Sequence, residues 1–235
     1  MAEAFGAAGW HVVLHYGNSA REAEALAARL PSAEAIHCDL TDSGSSAKMV
    51  ERMSGKLDDW RVLVNCAAIF RPDDVTGLDS ATYDRSMGIN AKTPVRMAQA
   101  FLKHARARTG RTVIQFTDQK LENTNPDFFS YTMSKHAVHG ALPMLVMGAT
   151  RPDDRIYGLA PGAILPSHDQ TADEIEVSHR LNLLRRKTGA DEIANACLFL
   201  AEGHLASGET LFIDSGQHLL RQPRDVIYLA REMAG

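Results

Sequence analysis

Short apolar runs rich in β-branched residues alternate with longer helical patterns along nearly the whole chain, and that alternation leaves few folds open. Strand-like runs fall at 11–16, 35–38, 61–65, 112–116, 155–159 and 210–213. Several are almost continuously apolar, as strands covered on both faces are. Helical patterns lie between them: 20–29 behind a Ser19 cap, 47–56, 81–108, 129–149, 172–186 and 190–202. This order predicts an α/β fold built on a parallel, doubly wound sheet. With 235 residues, no repeat and no linker, the chain reads as a single domain, 1–235.

Composition narrows the function. A net charge of −4 and no basic run argue against a nucleic-acid surface. No apolar run reaches the length of a membrane span, and the first residues lack the basic segment of a signal peptide. Cys38, Cys66 and Cys197 are widely spaced in apolar settings, so we expect buried, reduced thiols in a cytoplasmic protein. The histidines show no metal-ligand spacing, and no metal is expected.

The chemistry concentrates in Tyr131-Thr132-Met133-Ser134-Lys135, with Asp118 13 positions before the tyrosine. At the start of a helix this spacing places phenol and ammonium one turn apart on one face. A nearby ammonium is expected to lower the tyrosine pKa and make it a proton donor. Asn65 ends one strand, Asp118 follows another and Pro161-Gly162 follows a third. All three therefore fall on the carboxyl edge of the sheet, where such folds bind ligands.

In these motifs the chain resembles the short-chain dehydrogenase/reductase family from Met1 to about Leu219. The resemblance implies a Rossmann-like fold and assigns roles. Asp39 and Leu40 sit by the adenine. Asn65 and Ala67 pass beneath its ribose. Asn90 holds a water leading to the lysine. Tyr131 donates the proton, Lys135 binds the nicotinamide ribose, and Pro161, Gly162 and Ile164 contact the carboxamide. Within the family the chain is most similar to pteridine reductases, including dihydromonapterin reductases. Phe116-Thr117-Asp118 carries Asp where most members carry serine, and Phe70 stands five positions after Asn65. The resemblance implies that Phe70 stacks a flat pterin, that Asp118 positions it, and that His15, Tyr16, Asn18 and Ser19 favour NADPH over NADH. A dimer or tetramer through the helices at 81–108 and 129–149 is implied as well.

Two departures carry expectations of their own. Residues 1–9 match the family's first helix, so the first strand and its glycine-rich turn are expected to be missing from this chain. That strand would lie between 11–16 and 61–65. Either the sequence is a shortened form of a complete enzyme, or it is a short homologue that binds cofactor poorly. Repair by strand-compatible Val226-Ile227-Tyr228-Leu229 is disfavoured, because the tail at 220–235 ends in helix-forming residues. Pro143 should kink the helix at 129–149. Residues 167–186 match a substrate lid. The leading function is NADPH-dependent reduction of a pterin. Reduction of another carbonyl or imine, and a silent oligomeric binding protein, are the alternatives.

Overall fold

A computed structural model describes residues 1–167 and 169–234. His168, inside the expected lid, and Gly235, the last residue of the tail, lie outside the described residues. In chain order the elements are α1 (Ala2–Ala7), β1 (Val12–Tyr16), α2 (Ala20–Arg29), β2 (Ala33–His37), α3 (Ser43–Lys56) and β3 (Val62–Asn65). Then come α4 (Ser80–Ser86), α5 (Thr93–His104), β4 (Thr112–Phe116), α6 (Phe129–Gly148) and β5 (Arg155–Pro161). The chain closes with α7 (Ala172–Ser178), α8 (Ala190–Ala201), β6 (Thr210–Ile213) and α9 (Val226–Ala234).

Every strand pair is parallel. Four strands run β3-β4-β5-β6, and β1-β2 form a separate pair. The two-residue period of a strand explains the double winding. Val113 of β4 joins a core with Phe101 and Leu142 on one face, while the next residue, Ile114, joins Tyr157, Cys197 and Leu200 on the other. Beneath this sheet Arg111 makes a forked pair with Asp154, at 2.8 and 2.6 Å, with side chains 4% and 0% exposed. The same guanidinium donates to the Leu102 and Ala105 carbonyls at the end of α5.

The strands match the expected positions within one or two residues; the helices differ more. The pattern at 81–108 is divided by a π-helical turn over Met87–Lys92 and ends at His104. The helix expected over 172–186 stops at Ser178. There Asn182 Nδ2 donates to the His179 and Arg186 carbonyls and folds the chain back, with Arg185 at φ 51°. Ser19 makes no side-chain cap. Helix α6 runs unbroken through Pro143, whose neighbours Leu142 and Leu145 are buried. The tail forms helix α9, not a strand. Among the described residues no strand lies between β1 and β3, and a cleft of about 690 Å³ separates them. No helix of the described residues is long and apolar enough to cross a membrane.

Candidate active site

The site is built at the carboxyl edge of the four-stranded sheet. Asp118 follows β4, and its Oδ1 accepts from the Lys120 N–H at 2.9 Å, which fixes the carboxyl at the start of a short turn. Tyr131, in the first turn of α6, donates its hydroxyl to Asp118 Oδ2 at 2.6 Å. The 13-residue step therefore brings phenol and carboxyl into direct contact.

What orients the tyrosine is a distant residue. Asp73 accepts the Phe128 N–H on its carbonyl at 2.9 Å and the Ser130 N–H on Oδ1 at 3.0 Å. Its Oδ2 also takes the Ser130 hydroxyl. These bonds satisfy donors that the helix start leaves open. Phe128, immediately before α6, is held in the left-handed region at φ 54°. A bulky side chain there costs about 1–3 kcal/mol, which its surroundings must offset. Its ring stacks on Phe70 at 3.8 Å, and Phe70 meets Tyr131 edge-on at 4.6 Å.

The electrostatics overturn one expectation. The Tyr131 phenol is shifted upward, not downward, despite the Lys135 ammonium. The Lys135 Nζ donates to the Phe116 carbonyl at 2.8 Å and stands 5.5 Å from the Tyr131 ring centre. Burial and then the charge of Asp118 push the Tyr131 phenol well above its usual range. A phenolate against a carboxylate is repulsive, so the neutral, proton-bearing phenol is favoured. Burial raises the Asp118 carboxyl, opposed by the bonds from Tyr131 and Lys120, and burial lowers the Lys135 ammonium. Phenol and carboxyl thus form a coupled pair that holds its proton.

Asn90 serves a backbone clamp. Its Oδ1 accepts from Ile69 N–H at 2.8 Å, and its Nδ2 donates to the Ile69 carbonyl and to Ser134 Oγ. The π-helical turn around it adds the local widening that such turns bring to functional sites. Asn65 Nδ2 donates to the Pro94 carbonyl. His15 Nε2 bonds the Cys38 carbonyl, which ties the ends of β1 and β2 together. Tyr16 lies against His37, and Leu40 accepts the Thr93 hydroxyl through its carbonyl. Asn18, Ser19, Asp39 and Ala67 are exposed at the same edge. The Thr41 N–H holds the Asp39 carboxyl below its ordinary range.

A second cavity, of about 440 Å³, joins Phe70, Asp118, Tyr131, Gly162, Ile164 and Ile227. A β-carbon on Gly162 would come within 2.7 Å of Gln217 Oε1 and 2.8 Å of Asp214 Cβ, so the loop packs only as glycine. Across the cavity Lys120 Nζ pairs with Asp225 Oδ2 at 2.8 Å, both side chains buried, which ties α9 to the Asp118 turn. Phe128, Asp73, Lys120, Asp225 and Ile227 were not apparent from the sequence. The Phe128-Phe129 doublet beside Tyr131 is the one local signal among them. Cys66, expected to be buried, is exposed, while Cys38 and Cys197 are buried; all three are free thiols.

With this geometry in place, the matches to known proteins are specific. The family described as enoyl-(acyl carrier protein) reductase matches residues 1–218. This chain belongs to the short-chain dehydrogenase/reductase family. It is thus an oxidoreductase by family. Short-chain dehydrogenase reductase 5 of Arabidopsis thaliana is 29% identical over 84% of the chain and 80% of that protein. Pteridine reductase 1 of Leishmania tarentolae is 26% identical over 94% of the chain and 92% of that protein. The crystal structure of FolM alternative dihydrofolate reductase 1 from Brucella canis, complexed with NADP, superposes with a TM-score of 0.87. It is 31% identical and covers 95% of this chain and 90% of its own.

Proposed function

We propose that this family member is an NADPH-dependent pteridine reductase. The observation that carries the reading is the 2.6 Å bond from Tyr131 to Asp118 inside an aromatic-walled cavity. Reduction of a C=N bond needs a proton delivered to nitrogen. A carboxyl raised by burial beside a neutral phenol retains such a proton at a higher pH than a free aspartate does. Phe128 covers one face of Phe70, so a flat heterocycle stacks on the other. Similarity to the pteridine reductase and to the FolM structure supports the same choice.

The carboxyl edge suits a dinucleotide. Residues 15–19 carry no acid, so His15, Tyr16, Asn18 and Ser19 offer neutral donors to a 2′-phosphate. Asp39, Leu40, Asn65 and Ala67 would flank the adenosine, and Pro161, Gly162 and Ile164 the nicotinamide end. Lys135 has three donors, of which the Phe116 carbonyl takes one, which leaves donors for ribose hydroxyls. Bound NADPH supplies the hydride. Tyr131 and Asp118 hold and hand over the proton, Asn90 steadies the Ile69 backbone beside Phe70, and Phe70 orients the ring. Met133, Met144 and Met147 are exposed along α6, which supports assembly through that helix; the assembly proposed is a dimer or tetramer built on α5 and α6 and working in the cytoplasm. Light scattering of the purified protein measures that assembly. The activity test is NADPH consumption with dihydrobiopterin or dihydromonapterin. Turnover of either is expected; inactivity on both by protein that binds NADPH rejects the pterin reading.

A further inference from the structure

We infer that Gln119 sets substrate specificity: its side-chain amide pairs with the lactam edge of a pterin, the ring N–H beside the ring carbonyl. This rests on the pterin reading above and adds a recognition residue to it. Gln119 lines the same cavity, of about 440 Å³, as Asp118 and Tyr131. It is 5% exposed, yet its Oε1 has no hydrogen-bond partner. Other polar side chains on that wall are engaged within the protein. Gln217 Oε1 accepts the Ala163 N–H, and Gln170 Nε2 donates to Ser178 Oγ. Lys120 Nζ donates to Asn125 Oδ1 and pairs with Asp225. A buried acceptor without a donor is costly to a fold, and native structures keep few of them. An apolar side chain of the same length would pack at no such cost, so the amide serves something other than stability.

The backbone around Gln119 is fixed while its amide is not. The Glu122 and Asn123 N–H groups both donate to the Gln119 carbonyl, at 3.1 and 3.2 Å. Asn123 Nδ2 in turn donates to the Gln217 carbonyl and to Gln222 Oε1, which anchors the turn to the segment after β6. The last torsion of a glutamine is broad, and no bond to Oε1 sets it, so the amide is able to turn towards a ligand in the cavity. A carboxamide carries an acceptor and a donor side by side. Its complement is a flat edge with one N–H beside one C=O. In a 7,8-dihydropterin the reducible ring bond is N5=C6. The ring carbonyl flanks N5 across the ring junction, and the lactam N–H stands next to that carbonyl. Asp118, proposed to serve that nitrogen, is the residue before Gln119, so the amide is placed for the adjoining edge.

A cycle that alters residue and ligand together tests this. The ligands are pterin, followed by its own fluorescence, and 3-methylpterin, which lacks the lactam N–H. The proteins are the full parent chain and Gln119→Met, which keeps the length of the side chain without its amide, both with NADP⁺ present. We expect Gln119→Met to bind pterin about tenfold or more weakly, and 3-methylation to weaken binding to the parent by a similar factor. In Gln119→Met the added methyl group should change affinity little further, and the melting temperature should not fall. Losses that simply multiply, or equal affinity of both proteins for pterin, overturn the inference and leave the reductase reading standing. So does a variant that melts lower and loses both pterins and NADP⁺ alike, which marks a merely structural role. A parent chain that binds neither pterin overturns this inference and the pterin reading together.

Discussion

The β3–β6 sheet and the β1–β2 pair are made of the same kind of strand yet are held very differently. In β4, residues 112–115 are all buried, and in β5 so are residues 156–160; no residue of β1, β2 or α2 is. The larger sheet is covered by helices on both faces and pinned below by Arg111–Asp154. The smaller pair is tied by such contacts as the exposed Lys56–Glu34 bridge and the His15–Cys38 bond. Asp118 follows β4 of the larger sheet, and Tyr131 and Lys135 stand on α6, whose Leu142 and Leu145 pack into that sheet's core. The exposed loop 17–19, proposed to meet the cofactor's adenosine end, hangs on the thin pair. Proton chemistry needs fixed geometry, whereas a loop that grips a dinucleotide tolerates motion.

Breaking one ion pair in each region should separate them most sharply. Arg111→Met leaves Asp154 buried without a partner and should cost about 3–5 kcal/mol, whereas Lys56→Ala should cost about 1 kcal/mol or less. Urea titration of both variants measures the difference; equal losses would contradict the contrast. Hydrogen exchange sharpens it next. Amides of Val12–Tyr16 should open with a free energy well below that of Val113–Gln115, which should exchange only through global unfolding.

The pH response divides the regions again. Burial raises the Asp118 carboxyl above its unfolded value of 3.8. Its stabilising effect is therefore complete below 3.8 and is lost as pH rises through the folded-state value. Asp118→Asn should gain in Tm relative to the parent across that rise, and a constant difference would contradict the burial argument. Glu192 gives the opposite sign and the smallest effect. Arg186 and the Gly189 N–H hold it down to about 2, so its contribution is present above 4.5 and lost as pH falls towards 2. Because the pair is partly exposed, Glu192→Gln should cost about 1 kcal/mol or less near neutral pH, measured by the same thermal melts.

Much of this architecture was legible in the sequence, because strand periodicity and apolar runs are local signals. The Asp118–Tyr131 step was legible for the same reason: strand end, turn and helix start fix its reach. The π-helical turn was not, since the extra residue depends on Asn90 meeting Ile69 and Ser134 in space. Nor was the end of α7, which the Asn182 side chain decides against a continuing helical pattern. The capping of α6 by Asp73 and the Lys120–Asp225 tie lie 57 and 105 positions apart in sequence, beyond any periodic signal. The sign of the Tyr131 shift was missed because it depends first on the burial of the phenol and then on the Asp118 carboxyl bonded to it, neither of which the spacing to Lys135 reveals.

The most direct measurement compares Asp118→Ser with the parent in two assays, NADPH binding and NADPH-dependent turnover of a dihydropterin. If the coupled phenol and carboxyl deliver the proton to nitrogen, turnover falls by about 10²–10⁴-fold while the affinity for NADPH stays unchanged. Undiminished turnover by Asp118→Ser, or a loss of turnover matched by loss of NADPH binding, would contradict the assignment.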